Sequence, residues 1–375
     1  MQILCICSMF PSEENPGYGA FLMRQTDALW PLGHAAEVVA NTDSRTGALH
    51  ALRKYLSLYW RARKAARLCV AHGSPYDLIV GHFLYPNAWI AQAVARAVHQ
   101  PPYLVVAHGS DVGSLARKDP LARWSRSAVS HADGIVAVSH FLLHQLEETV
   151  PLPSQTPRAV INMGFDDAVF YPRDRQNARA ELGLPAEAKV IVVVGNLAPV
   201  KGQDRALEAC APLLRAGKLD RLIFVGEGTK RAALERTAAK NGLTGRVAFV
   251  GQRAQPEVAR SVNAADLVLV PSRNEGLGLV VLEAAACGTP VAAATVGGIP
   301  EILPAEPFGY LLDPIDVASW PAVIERALEA DPLSDDDRKQ LSASVAAHSI
   351  TKQAQRFADF CASRCSPDPA AGRTE

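Results

Sequence analysis

Two doubly wound α/β domains, each a parallel sheet covered by helices on both faces, form the architecture this sequence predicts. Three observations carry it. Short apolar runs alternate with helical patterns from the N-terminus to about Val150, a proline-punctuated stretch without periodicity follows, and a second alternating series begins near Lys189. A length of 375 residues suits two domains.

The first series opens with the strand ILCIC, the helix around Phe21–Leu32 and the strand AAEVVA. It continues with DLIVGH, the helix around Ala88–Val98, YLVVAHG and GIVAVS. Pro151, Pro153 and Pro157 then break the pattern, and INMGFDDAVFYPRD reads as an interdomain linker. The second series runs KVIVVVGN, a helix from Asp204, RLIFVGEG, the helix around Ala232–Lys240, RVAFVGQ, ADLVLVPS, the helix around Leu279–Cys287 and PVAAAT. Strands this uniformly apolar are buried on both faces, as in a parallel sheet. The expected division is an N-terminal domain over 1–165, a C-terminal domain over 166–350, a C-terminal helix over 351–365 packing back toward the N-terminal domain, and a disordered tail over 366–375. Open parallel sheets bind ligands beyond the carboxyl ends of their strands, so the two sheets are expected to face an interdomain cleft.

Composition narrows the function. Hydrophobic residues make up 49% and charged ones 20%, with zero net charge, which gives no global attraction to nucleic acid. No apolar stretch reaches the roughly 18 residues that span a bilayer. MQILCICSMFPS has no basic leader segment and reads as a first strand, so the chain is expected in the cytoplasm. The seven cysteines form no CxxC pair and read as reduced, structural thiols. Asp335-Asp336-Asp337 reads as a helix start, and neither a metal nor a resident cofactor is expected.

The chemistry gathers just after strands. Glu275 lies in the loop Glu275-Gly276-Leu277-Gly278, and Glu283 sits inside the apolar helix that this loop opens. Free backbone N–H groups at a helix start suit a phosphate, and carboxylates on either side suit sugar hydroxyls. Phosphate flanked by hydroxyls describes a nucleotide-sugar. Lys201, in Gly195-Asn196-Leu197-Ala198-Pro199-Val200-Lys201-Gly202, places a mobile cation where a diphosphate would lie. Gly226-Glu227-Gly228 and Gly297-Gly298 are glycine turns after strands that a ligand or a tight turn explains equally well. In the first domain the candidates are Gly17 and Gly19, before a helix, and His108 in His108-Gly109-Ser110-Asp111. His82 has the same placement and reads as structural. Between Ser44 and Tyr76 the chain carries Arg45, Arg53, Lys54, Arg61, Arg63, Lys64 and Arg67 with no acidic residue, interleaved with Tyr55, Leu56, Tyr59 and Trp60. Such a basic helix, Arg53–Arg67, fits either an anionic membrane surface or a solvated face of its own domain.

These motifs together resemble the family 4 retaining glycosyltransferases of the GT-B fold, and closest to the bacterial transferases of exopolysaccharide, teichuronic acid or capsule. The resemblance rests on Glu275-x7-Glu283, Gly195-Asn196-Leu197 with Lys201-Gly202, Gly226-Glu227-Gly228, Phe249-Val250-Gly251, Pro271-Ser272 and Gly288-Thr289-Pro290-Val291. It extends to Asn15-Pro16-Gly17-Tyr18-Gly19-Ala20-Phe21, His108-Gly109-Ser110-Asp111 and Asn162-Met163-Gly164-Phe165-Asp166, so it covers nearly the whole chain. It implies metal-independent transfer of a hexose from a UDP- or GDP-sugar to a sugar or lipid-linked sugar acceptor, by front-face attack without a covalent intermediate. Glu275 would contact the donor sugar, Glu283 the ribose, and Lys201 the diphosphate with the N–H groups of Leu277, Gly278 and Leu279, with Gly276 also among the donor-binding residues. His108 would lie by the transferred sugar, Gly17 and Gly19 would frame the donor, and Gly226, Glu227 and Arg253 would border the base. Many members carry an arginine where this chain has Asn196, and Asn196 supplies a hydrogen bond without the charge. Arg253 or Arg273 are the candidates to replace that cation. The alternatives are a catalytically silent nucleotide-sugar-binding scaffold, or another enzyme of the fold such as a nucleotide-sugar 2-epimerase. No GxGxxG follows the first strand, which argues against a dinucleotide-dependent oxidoreductase.

Overall fold

Both sheets are parallel throughout, and their central strands are runs of apolar residues buried on both faces and joined by helical crossovers. The computed structural model describes residues 1–12, 17–42 and 48–365, with the side chains of 48, 49, 51 and 52 left aside. Asn15, Pro16, Ser44, Arg45 and the 366–375 tail, named above, lie outside the described residues.

The first unit comprises Met1–Gly164 with the chain from Ile350 onward. Its strands are β1 (Gln2–Cys7), β2 (Ala35–Ala40), β3 (Leu78–His82), β4 (Tyr103–Ala107), β5 (Gly134–Ala137) and β6 (Arg158–Val160), in the order β2-β1-β3-β4-β5-β6. The helix Ile350–Cys365 belongs to this unit: its Gln353 side-chain Oε1 accepts from Asn162 N–H at 3.2 Å, and Arg356 donates to Val160 O at 2.9 Å. The second unit is Phe165–Ser349. It holds β7 (Val190–Val194), β8 (Arg221–Val225), β9 (Val247–Phe249), β10 (Leu267–Val270), β11 (Val291–Ala294) and β12 (Gly309–Leu312), in the order β12-β11-β10-β7-β8-β9. The order reverses between β1 and β3 in one sheet and between β7 and β10 in the other. At such a switch point the flanking loops diverge and leave a crevice beyond the strand ends.

Two strands are absent from the sequence reading. β6 and β12 close the outer edges, with three and four residues. β6 is half-buried along its length and sits directly after the prolines, so it lacks the apolar run that marks a central strand. The helix expected over Phe21–Leu32 is also shorter, running Ala20–Asp27, with a separate 3-10 turn at Trp30–Leu32. Pro31 causes the break, since it donates no N–H and disfavours helical backbone at Trp30.

Asp335, Asp336 and Asp337 form the first turn of the helix Asp335–Ser344, where Ser334 Oγ accepts from Asp337 N–H at 3.1 Å and Asp337 accepts back from Ser334 N–H at 3.0 Å. From that helix the buried Arg338 donates to Cys287 O at 3.1 Å and Gly288 O at 3.3 Å, fixing the end of the helix Leu279–Ala286 that carries Glu283. All seven cysteines are free thiols. Burial pushes Cys210 and Cys287 up to about 12, which leaves them unreactive at neutral pH. Among the described residues no helix is long and apolar enough to cross a membrane.

Candidate functional site

In the second unit the loops after β7, β8, β10 and β11 interlock through glycines at positive φ. An ideal Cβ on Gly202 (φ 68°) would lie 2.0 Å from Pro271 O, and one on Gly297 (φ 58°) 1.8 Å from Glu275 O. One on Gly226 (φ 152°) would lie 2.0 Å from Gly195 O. Only glycine permits backbone to approach backbone this closely. The sequence reading left Gly226 open between a ligand and a tight turn. What approaches Gly226 is the chain itself, with Gly195 N–H donating to Val225 O and Leu197 N–H to Glu227 O, both at 2.9 Å.

This packing brings Lys201 and Glu275 together across the β7/β10 switch point. Lys201 ends the 3-10 turn Pro199–Lys201, and Gly202 caps the helix Gln203–Ala216 behind it in the left-handed conformation. Lys201 Nζ donates to Glu275 Oε1 at 2.6 Å, and Ser272 Oγ donates to the same oxygen at 2.8 Å. The Lys201 side chain remains 35% exposed and the Glu275 side chain 12%, so the cation can reach a ligand while Ser272 holds the carboxylate. Gly276, Leu277 and Gly278 lead into the helix Leu279–Ala286, with Gly278 as a left-handed N-cap (φ 98°), so that helix begins beside Glu275 with its positive dipole end. Glu283 is half-buried, four residues past Leu279 and about 6 Å further along the axis.

The remaining candidates in this unit separate. Arg273 turns away from Lys201: its guanidinium makes a forked pair with Asp204 at 2.7 and 2.6 Å and donates to Pro199 O at 3.0 Å. This hydrogen-bonded fork holds the Asp204 carboxyl below its ordinary range. Arg273 is thus committed to bracing the Lys201 turn. Arg253 pairs with Glu257 one turn on, at 3.4 Å. Glu227 is taken by Arg231 at 2.6 Å, whose hydrogen bond keeps its carboxyl below the usual range. Asn196 is exposed, and its carbonyl accepts from the buried Gln203 side chain at 2.9 Å. Ser272, Asp204 and Gln203 neighbour these candidates and were not named as site residues in the sequence reading, although Pro271-Ser272 was quoted there as a motif. Of these only Ser272, three residues before Glu275, was marked by position.

In the first unit, Gly19 (φ 74°) caps the helix Ala20–Asp27, where a Cβ would meet Met9 backbone at 2.7 Å. Gly17 O, at the turn before it, accepts from Ala20 N–H at 3.5 Å. His108 follows β4, with its ring 5.5 Å from Phe21 and 4.5 Å from Phe83. Its Nε2 lies 3.1 Å from Nδ1 of His82, the last residue of β3. The Asp111 carboxylate accepts from the backbone N–H groups of Leu84 (2.9 Å), His108 (3.2 Å) and Gly109 (2.6 Å), tying the two strand ends together. Burial raises its pKa against those hydrogen bonds. Burial also pushes His82 down to about 3, and pushes His108 well below its ordinary value with His82 adding to the effect, so both imidazoles are neutral at pH 7. Among the described residues no three His, Cys, Asp or Glu side chains are grouped to hold a metal ion.

Two family models match the chain: Glycosyltransferase Family 4 over residues 17–169, and Glycosyl transferases group 1 over residues 174–344. The D-inositol 3-phosphate glycosyltransferase of Mycolicibacterium paratuberculosis is 33% identical over 299 residues, covering 68% of this chain and 65% of that protein. The enzyme of the same description from Mycobacterium avium is 32% identical over 299 residues, covering 68% of each. The chain thus spans about two-thirds of the length of these relatives. Among solved structures, sucrose-phosphate synthase from Thermosynechococcus elongatus superposes with a TM-score of 0.76 at 23% identity, covering 97% of this chain and 99% of that one. Anabaena HepE in complex with UDP-glucose superposes with a TM-score of 0.75 at 22% identity, covering 97% and 100%. At these identities the structures show a shared fold.

Proposed function

The chain belongs to the family 4 glycosyltransferases, and on that premise we propose that it transfers a hexose from a UDP- or GDP-sugar to a hydroxyl of a sugar or lipid-linked sugar acceptor, with retention and without a metal. The supporting observation is the Lys201–Glu275 pair at the start of the helix Leu279–Ala286, on the β7/β10 switch point. The anomeric C–O bond to the diphosphate breaks, the acceptor oxygen bonds the same face, and its proton passes to the departing phosphate oxygen. Lys201 and the helix start stabilise the charge that grows on that phosphate. Glu275 exchanges its contact with Lys201 for the sugar hydroxyls, Glu283 holds the ribose, and His108 lies by the sugar. The phosphate leaving group needs little acid catalysis, which fits a site built from a cation and backbone dipoles. The UDP-glucose held by the structural neighbour HepE supports a uridine donor.

A thermal-shift screen against UDP-, GDP- and ADP-sugars tests the donor class. At a ligand concentration of about 100 Kd the right donor stabilises by about 2.7 kcal/mol, and Glu275→Gln is expected to erase most of that shift. No shift with any nucleotide-sugar would sink the reading. A shift without any turnover, transfer or slow hydrolysis, would leave the silent scaffold.

We further place the enzyme at the cytoplasmic face of a membrane, as part of cell-surface polysaccharide or glycolipid synthesis. The helix Ala48–Ala71 buries Leu58, Ala62 and Ala66 on one face and exposes Arg53, Leu56, Trp60, Lys64, Arg67 and Leu68 on the other. Arg63 lies over the Trp60 ring at 5.3 Å, and Trp60 is 57% exposed. Cations and apolar side chains on one open face suit an anionic lipid surface. Arg61 instead serves its own unit, donating to Ala40 O at 2.8 Å. Neutralising Arg53, Lys64 and Arg67 together is expected to abolish flotation with phosphatidylserine vesicles, and unchanged flotation would remove the membrane assignment.

A further inference from the structure

We propose that His82 is a positioning residue that fixes the tautomer of His108, so that His108 offers a protonated Nδ1 as a hydrogen-bond donor at the carboxyl edge of the first sheet. The kinetic consequence rests on the transferase reading above; the tautomer itself does not.

His82 is 1% exposed, and its Nε2 is buried with no hydrogen-bond partner among the described residues. Its Nδ1 is 3.1 Å from His108 Nε2, with the rings 5.3 Å apart. Two ring nitrogens at this distance share one proton, and two arrangements satisfy the contact. If His108 donated, His82 would carry its proton on Nε2, as an orphaned N–H packed near the Phe357 ring (6.4 Å). Orphaned buried N–H groups are rarer than unpaired acceptors. If His82 donates from Nδ1, its Nε2 carries only a lone pair, and His108 Nε2 is the acceptor. His108 then holds its proton on Nδ1, which has no hydrogen bond among the described residues, and His108 is only half-buried.

The surroundings over-determine this geometry. Asn87 Nδ2 donates to His82 O at 2.5 Å and to Ser8 Oγ at 2.8 Å, while Asp111 gathers the His108, Gly109 and Leu84 amides. Between the two histidines' strands, Phe83 is held at φ 64°, a conformation unfavourable for an aromatic residue, and its ring sits 4.5 Å from His108. This backbone conformation and the Asp111 and Asn87 hydrogen bonds hold the two strand ends, and with them the His82–His108 contact, in one arrangement. His108 is thereby a neutral donor to a ligand oxygen, and neither a base nor an imidazolium.

Long-range ¹H–¹⁵N NMR of the ring nitrogens, assigned with His82→Leu and His108→Gln, reads the tautomers directly and needs no substrate. The expected result is protonated Nδ1 on both His82 and His108; protonated Nε2 on His108, or a cationic ring at neutral pH, overturns the proposal. In turnover, His82→Leu is expected to lower kcat about tenfold, the scale of one hydrogen bond, with donor KM within about twofold. His82→Asn returns an N–H close to the Nδ1 position and recovers most of kcat. Full kcat in folded His82→Leu also overturns it. If no sugar is transferred by the wild type, the NMR spectrum alone decides.

Discussion

Lys201→Ala is expected to lower kcat for sugar transfer by about 10²–10³-fold, while the melting temperature stays close to wild type. The two readouts diverge because the Lys201–Glu275 pair contributes little to the folded state. The lysine side chain is 35% exposed, so solvent screens the pair, and a contact of this kind is worth about 0–1 kcal/mol to stability. The Glu275 carboxylate also keeps Ser272 Oγ at 2.8 Å when the lysine is gone. The transition state is another matter. Removing one preorganised donor from a developing anion costs about 2.7–4 kcal/mol, which is the rate loss given. Asn196 concentrates the burden on Lys201, since Arg273 is bound to Asp204 and Pro199 and Arg253 pairs with Glu257. A near wild-type kcat in a folded Lys201→Ala protein would show that the growing charge is met elsewhere and would overturn the assignment.

The central strands were legible because β1, β3, β4, β7, β8 and β10 are continuous apolar runs between glycine or polar turns, and burial on both faces requires such runs. Of the four edge strands β2 and β9 were legible as AAEVVA and RVAFVGQ, whereas β6 and β12 were not, being short and needing only one neighbour. Lys201 and Glu275 were each found by their place after a strand, but their ion pair spans 74 residues and depends on which strands are adjacent, which periodicity does not encode. Arg273 shows the same limit with an opposite outcome. A cation two residues from Glu275 suggests a phosphate, and its partner Asp204, 69 residues earlier, decides otherwise. His82 read as structural, and it is fully buried; what the sequence could not show is that its Nδ1 edge meets His108. Glycine is the most instructive case. It announces close approach without saying by what, and at Gly226 the approaching group is Gly195 O.

Gly297→Ala tests whether that interlock sets the site. The backbone there has φ 58°, and an added Cβ would lie 1.8 Å from Glu275 O and 2.8 Å from Glu275 C. Both are main-chain atoms that cannot rotate aside, so one loop must shift by more than an ångström. Gly217 supplies the control: it has φ 72° and nothing within 4 Å of the corresponding Cβ. Gly217→Ala therefore measures the left-handed backbone penalty alone, about 1–2 kcal/mol, and is expected to leave transfer intact. Gly297→Ala adds the clash, for a total of about 3–5 kcal/mol in denaturant titration. It also moves Glu275 relative to Lys201, and a misplacement of about 1 Å costs roughly 10²-fold in rate. Measured under conditions where both variants remain folded, the rate separates the explanations. Equal activity in the two variants would mean that the β10 loop holds Glu275 without help from the β11 turn. Loss confined to Gly297→Ala would mean that the glycine on one loop places the carboxylate on its neighbour.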